Sequence, residues 1–96
     1  PYVASKAALI GLVRSLAGEI ANDGITVNAI SPGLTETEKL LNSWPGTLFD
    51  WVVEAQSIKR RMTPEDLVST LLYLIDEKSD FITGQTINVD GGFAKH

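Results

Sequence analysis

Residues 2 to about 22 carry apolar side chains around too much of a helix for a short isolated chain to cover. Val3, Ala4, Ala7, Ala8, Leu9, Ile10, Leu12, Val13, Leu16, Ala17, Ile20 and Ala21 leave only a narrow polar strip of Ser5, Arg14, Ser15 and Glu19. A helix that is apolar over most of its circumference is buried on more than one side. A chain of 96 residues has too little other material for that, because small domains bury a smaller share of their surface. The expectation is a helix with one face on a sheet and the other on a second chain or on a segment beyond these residues. The chain also opens on Pro1-Tyr2 and runs directly into the helical pattern, which predicts the back part of a longer domain.

The remaining pattern alternates. Asn22-Asp23-Gly24 stops the helix, with Gly24 suited to a left-handed C-terminal cap. Ile25-Thr26-Val27-Asn28-Ala29-Ile30 is a candidate buried strand, ended by Ser31-Pro32-Gly33. Residues 34 to 62 mix polar positions with Leu40, Leu41, Trp44, Leu48, Phe49, Trp51, Val52 and Val53, and Pro45-Gly46 interrupts them. The helical spacing of Leu48, Trp51, Val52 and Ala55 predicts two short helices around a turn. Thr63-Pro64-Glu65-Asp66 is a helix start: a capping threonine, a proline for the first position and two carboxylates at the positive end of the dipole. Leu67, Val68, Leu71, Leu72, Leu74 and Ile75 continue it to about residue 76, and Gln85 to Val89 reads as a final strand. Helix, strand, irregular segment, helix, strand is an α/β order.

Tyr2 and Lys6 are four apart, which puts them one turn apart on one helix face. An unperturbed phenol titrates at about 10 and a lysine at about 10.4, so neither alone is a good acid or base near pH 7. A neighbouring ammonium favours the phenolate and lowers the tyrosine value, so Tyr2 can exchange a proton with an alcohol or carbonyl oxygen. Alone, the spacing is better explained by a lysine snorkelling to solvent and a tyrosine that merely packs. Pro32-Gly33 follows a strand, at the carboxyl end where open α/β sheets bind ligands. Gly33 offers backbone free of a Cβ, and Thr35 and Thr37 add hydroxyls and N–H donors; an ordinary strand-ending turn explains the same residues. Trp44, Phe49 and Trp51 either line a lid over an apolar substrate or form a packing cluster. Asp90-Gly91-Gly92 is read as a structural turn, Lys59-Arg60-Arg61 as a solvated face, and the terminal His96 supports neither a metal site nor a triad.

In combination these motifs say more. Tyr2-x-x-x-Lys6 heading a helix, then Ile25 to Gly33 (ITVNAISPG), then Ile82 to Gly92 (ITGQTINVDGG) resemble the C-terminal portion of the classical short-chain dehydrogenase/reductase family, in order and across essentially the whole chain. The resemblance implies an α/β fold: the C-terminal part of a Rossmann-type, doubly wound parallel sheet in three α/β/α layers. Its N-terminal nucleotide-binding half is absent from these residues. Residues 1–96 would be one part of a single domain, about its last two-fifths against the usual size of such domains, with 34–62 as a substrate-lid insertion. It implies NAD or NADP as cofactor, an alcohol or ketone as substrate, and a homodimer or homotetramer. Tyr2 would be the acid/base. Lys6 would hold the nicotinamide ribose hydroxyls and lower the tyrosine pKa. Pro32, Gly33, Thr35 and Thr37 would lie by the nicotinamide and its neighbouring groups, and Trp44, Phe49 and Trp51 would face an apolar or aromatic substrate. The family's glycine-rich phosphate loop, its NAD/NADP-choosing residue and the serine ahead of the tyrosine are not among these residues, so the 96-residue chain alone is expected to be inactive.

Composition sets the outer bounds. Eight Lys and Arg against twelve Asp and Glu leave a net charge of −4, which opposes general nucleic-acid binding and attachment to an anionic membrane. No apolar run reaches the roughly 20 residues a transmembrane helix needs. The absence of cysteine removes thiol chemistry and suits a reducing cytoplasm. Within the family an aryl-alcohol or pyridoxal-type dehydrogenase and a 3-oxoacyl-(acyl-carrier-protein) reductase are both open. Outside it stands a non-catalytic remnant or oligomerisation module, which has no need of the Tyr2–Lys6 pair.

Overall fold

Alanine and leucine dominate the first nineteen helical residues and no proline interrupts them, so the backbone is free to propagate a regular helix. In the computed structural model, which describes residues 2–33 and 46–94, this helix, α1, spans Tyr2–Ile20. A single 3-10 turn, Ala21–Asp23, tightens its end. Gly24 then takes the left-handed conformation at φ 75° and donates its N–H to the Ala21 carbonyl at 3.1 Å. That is the stop expected from Asn22-Asp23-Gly24.

Two short strands follow the α/β expectation, β1 over Ala29–Pro32 and β2 over Thr86–Val89, paired as a two-stranded sheet. The Ala29 N–H donates to the Gln85 carbonyl at 2.8 Å and the Gly33 N–H to the Val89 carbonyl at 3.0 Å. Both bonds have the same offset in sequence, as a parallel register requires. β1 begins later than the strand expected over 25–30 and runs further. The reason lies in side chains that take the place of a ladder. The Val27 N–H donates to Thr83 Oγ1 at 3.0 Å, while the Asn28 amide donates to the Ile82 carbonyl at 3.0 Å and accepts from the Gln85 N–H at 3.1 Å. Pro32, with no N–H to give, is tolerated because it ends the strand.

Between the strands lie α2, Gly46–Ala55, and α3, Val68–Ile75. α2 bears out the helical spacing from Leu48 to Ala55; any second helix expected between 34 and 45 lies outside the described residues. The start expected at Thr63-Pro64-Glu65-Asp66 is present, but its first turn, Pro64–Leu67, is 3-10 rather than α. Proline at the first position leaves no donor there. The Asp66 carboxylate reaches back to accept the Thr63 N–H at 2.8 Å, and the Asp66 N–H donates to the Thr63 carbonyl at 3.0 Å. After α3, Asp76 caps a further 3-10 turn, Glu77–Ser79, by accepting the Lys78 N–H at 2.8 Å.

The contacts divide into two units, Pro1–Ile30 with Leu71–Ile87 and Ser31–Thr70 with Asn88–His96. In the first, Val13, Ala17 and Ser79 are buried. Ala17 packs where a Cβ on Gly84 would come to 3.5 Å. In the second, Phe49, Met62 and Gln56 are buried.

Candidate functional site

Tyr2 is the first residue of α1 and Lys6 follows one turn later, so the backbone supplies the register that the pair requires. Lys6 is half-buried. Its positions one, two and three turns on are Ile10, Val13 and Ala17, so it stands on the face that the first unit buries.

The second unit holds the strand exit. Pro32 is exposed and Gly33 half-buried; Thr35 and Thr37 lie outside the described residues, as does Trp44. The structure gives Gly33 a different reason for lacking a side chain from the one expected. A Cβ there would stand 3.0 Å from the Asp90 Cβ and 3.1 Å from its Cα. The space is already used by the turn after β2, so the glycine answers a contact within the chain.

The two described aromatic residues of the proposed lid diverge. Phe49 is 2% exposed and serves as core, with the Arg61 guanidinium 4.8 Å from its ring centroid, a cation–π distance. Trp51 is 63% exposed and makes an edge-to-face contact with Phe93 at 6.1 Å between centroids. Only Trp51 of these two presents a face that a ligand can touch.

The basic run is the solvated face expected, with Lys59 and Arg60 exposed, and its side chains are also paired. Arg60 grips the Asp66 carboxylate with both nitrogens, at 2.8 and 2.7 Å. Arg61 pairs with Asp50 at 3.5 Å, and Lys59 Nζ donates to the Glu54 carbonyl at the end of α2. The hydrogen bonds from Arg60 and from the Thr63 N–H hold the Asp66 carboxyl well below the usual carboxylate range. The expected turn at Asp90-Gly91-Gly92 is found: Gly91 and Gly92 have φ 63° and 83°, and the Asp90 carboxylate accepts the Gly92 and Ala94 N–H groups at 3.0 and 3.1 Å.

Gln56 was not singled out from the sequence, yet it is 4% exposed and gives both its amide hydrogens to carbonyls of its own loop. Nothing in a lone glutamine after an amphipathic helix announces that role. Concave regions among the described residues include the following two. One of about 180 Å³ lies in the second unit against Gln56, Met62 and Val89. The other, of about 510 Å³, lies in the first between Ile30, Leu71, Leu74 and Ile75. None of Lys6, Pro32, Gly33, Phe49 or Trp51 lines either one. Among the described residues no group of three or more His, Cys, Asp or Glu side chains could hold a metal ion, and no helix is long and apolar enough to cross a membrane.

Residues 1–94 match a family profile described as enoyl-(acyl carrier protein) reductase. The 3-oxoacyl-[acyl-carrier-protein] reductase of Staphylococcus epidermidis is 42% identical over 91 residues, covering 95% of this chain and 37% of the relative. The (2S)-[(R)-hydroxy(phenyl)methyl]succinyl-CoA dehydrogenase subunit of Thauera aromatica is 38% identical over 92 residues, covering 96% of this chain and 37% of the relative. Among solved structures, a 4-hydroxyisoleucine dehydrogenase complexed with NADH is 40% identical with a TM-score of 0.84, over 97% of this chain and 39% of that one. A short-chain dehydrogenase of Leptospira borgpetersenii with bound NAD+ is 32% identical with a TM-score of 0.85, over 96% of this chain and 34% of that one. The chain thus spans little more than a third of the length of the curated relatives it matches.

Proposed function

Because the chain belongs to the short-chain dehydrogenase/reductase family, we propose that it supplies the tyrosine–lysine end of an NAD(P)-dependent oxidoreductase acting on a secondary alcohol or ketone. In that enzyme it is the C-terminal part of a Rossmann-type sheet, with β1 and β2 as two of the parallel strands. The observation that carries the reading is the Tyr2–Lys6 register at the head of α1, with Lys6 on the face that Val13 and Ala17 bury.

The nicotinamide cofactor, when bound, supplies or accepts the hydride. The chain's own part is the proton and the orientation. Tyr2 donates its phenolic proton to the carbonyl oxygen in reduction and recovers it in oxidation. Lys6 holds ribose hydroxyls with its ammonium and, by its charge, makes the phenolate easier to form. The backbone at Pro32 and Gly33, with Thr35 and Thr37 beyond, orients the planar carboxamide. α2 is the described part of a substrate-side segment over 34–62. Its exposed Trp51 face suits an apolar or aromatic substrate, with Phe49 anchoring the helix from below and Trp44 in the same segment.

A homodimer or homotetramer and a cytoplasmic setting belong to the same proposal. The exposed Leu9 and Leu12 of α1 support the first, and the cysteine-free composition the second. A 3-oxoacyl-(acyl-carrier-protein) reductase is the second reading, favoured by the recurrence of that activity among the relatives.

The test is turnover by the full-length protein with NADH and NADPH against aryl ketones and a 3-oxoacyl thioester. Tyr2→Phe should lower kcat by about 100-fold or more, the usual worth of a positioned acid/base, with little change in cofactor affinity. Lys6→Ala should damage both. Unchanged kinetics in Tyr2→Phe would remove the mechanism.

A further inference from the structure

The second unit contains a run of contacts that the proposed chemistry does not yet use. Gln56 follows the last residue of α2, and its Nε2 donates to the Ile58 carbonyl at 2.8 Å and to the Arg60 carbonyl at 2.9 Å. The loop so folded sits on the turn after β2. The N–H groups of Ser57 and Ile58 both donate to the Gly91 carbonyl, at 2.9 and 2.8 Å. The fit leaves no room for side chains on the turn: a Cβ on Gly91 would stand 3.1 Å from Gln56 Nε2, and one on Gly92 2.8 Å from the Ser57 Cβ and Oγ. On its other side the same turn presents Asp90 to Gly33, whose N–H is bonded to Val89. The end of α2 and the exit of β1 therefore rest on one three-residue turn.

We infer that Gln56 is a positioning residue for substrate: it folds residues 57–60 onto the Asp90-Gly91-Gly92 turn and so fixes α2, with its Trp51 face, relative to the Gly33 backbone. The inference rests on the dehydrogenase reading. The chemistry of the side chain is specific. Two inward-turned carbonyls need two donors from one buried group, and an apolar side chain of the same length leaves both unpaired. α2 itself does not depend on that amide, because the Gln56 backbone N–H bonds to the Val52 and Val53 carbonyls at 3.1 Å. Loss of the side-chain bonds is thus confined to the loop and to the placement of the helix above it. Gln56 touches neither proposed cofactor nor proton-transfer groups, so its removal should act on substrate binding.

The experiment uses the full-length protein and the variants Gln56→Met, which keeps length and loses both donors, and Gln56→Asn, which keeps the amide on a shorter stem. Steady-state kinetics are measured with aryl ketones and a 3-oxoacyl thioester, and cofactor binding by titration of NADH and NADPH. Gln56→Met should raise the KM for ketone by about 10-fold or more while kcat and cofactor affinity stay within about threefold, the pattern of lost uniform binding. Gln56→Asn should fall between it and the unsubstituted protein. Unchanged KM, or an equal fall in kcat and cofactor affinity, would overturn the inference. Failure of both variants to fold would also overturn it, since the residue would then serve the fold alone. An unsubstituted protein without NAD(P)-linked turnover would sink the dehydrogenase reading instead, which keeps the two failures apart.

Discussion

Asp66 and its partner Arg60 are the described side chains whose ionisation the fold clearly alters. Their mutual contact pushes the carboxyl down and the guanidinium up, and the position of Asp66 explains its direction. The bidentate Arg60 and the Thr63 N–H both stabilise the carboxylate, so its folded pKa lies below its unfolded one. Such a group contributes stability that is complete above the unfolded value, about 3.9, and is lost as pH falls through that value toward the folded one. In thermal unfolding from about pH 5 down to about pH 2, the unsubstituted protein should lose more stability than Asp66→Asn, which has no carboxylate to protonate. Equal acid sensitivity would show that the pair carries nothing. The left-handed glycines form a second residue-level comparison. Gly24 has φ 75° and open space around it, whereas Gly92 has φ 83° and Ser57 within 2.8 Å of any added Cβ. Gly24→Ala should cost about 1 kcal/mol from backbone strain alone, and Gly92→Ala clearly more in the same denaturant titration, because strain and overlap act together. The Asp90-Gly91-Gly92 turn was legible as a turn from residue types. The reason it needs two consecutive glycines was not, since the opposing Ser57 and Gln56 are distant in sequence.

At the scale of elements, local signals proved the most readable. The stop at Gly24, the start at Thr63-Pro64 and the spacing along α2 all rest on residues within a turn of one another. β1 begins later than its residue types suggest because Asn28 and Thr83, which replace the ladder over 27–28, are far apart in the chain. The Tyr2–Lys6 register was legible for the same local reason, whereas Gln56 depends on carbonyls whose direction only the folded loop sets. α2 shows how one short helix divides two tasks. Phe49 on its inner face is fully packed and Trp51 two residues later is exposed. Phe49→Ala should therefore destabilise the protein by about 3–5 kcal/mol. Trp51→Ala should change stability by about 1 kcal/mol or less while weakening binding of aryl ketones, read as a rise in KM. A large stability loss in Trp51→Ala would reassign that ring to the core.

At the scale of the molecule, much of the apolar surface is uncovered. Leu9, Leu12, Leu71, Leu72 and Ile75 are each more than half exposed, and Phe81 is fully so. This is the surplus expected from the circumference of α1, extended to α3. The 96-residue chain purified alone should self-associate with rising concentration in sedimentation and show no NAD(P)-linked turnover; a monodisperse monomer or an active one would contradict these expectations. The parallel pairing of β1 with β2 has a consequence in time as well as in space. The side-chain bonds that tie Val27 and Asn28 to the chain before β2 join residues 54 to 57 positions apart. Contacts so remote must wait for a long loop to close. During synthesis, β1 emerges before β2 exists, and the edge that β2 takes waits until residue 89 has left the ribosome. The order in which the chain is made thus sets when these two strands can pair.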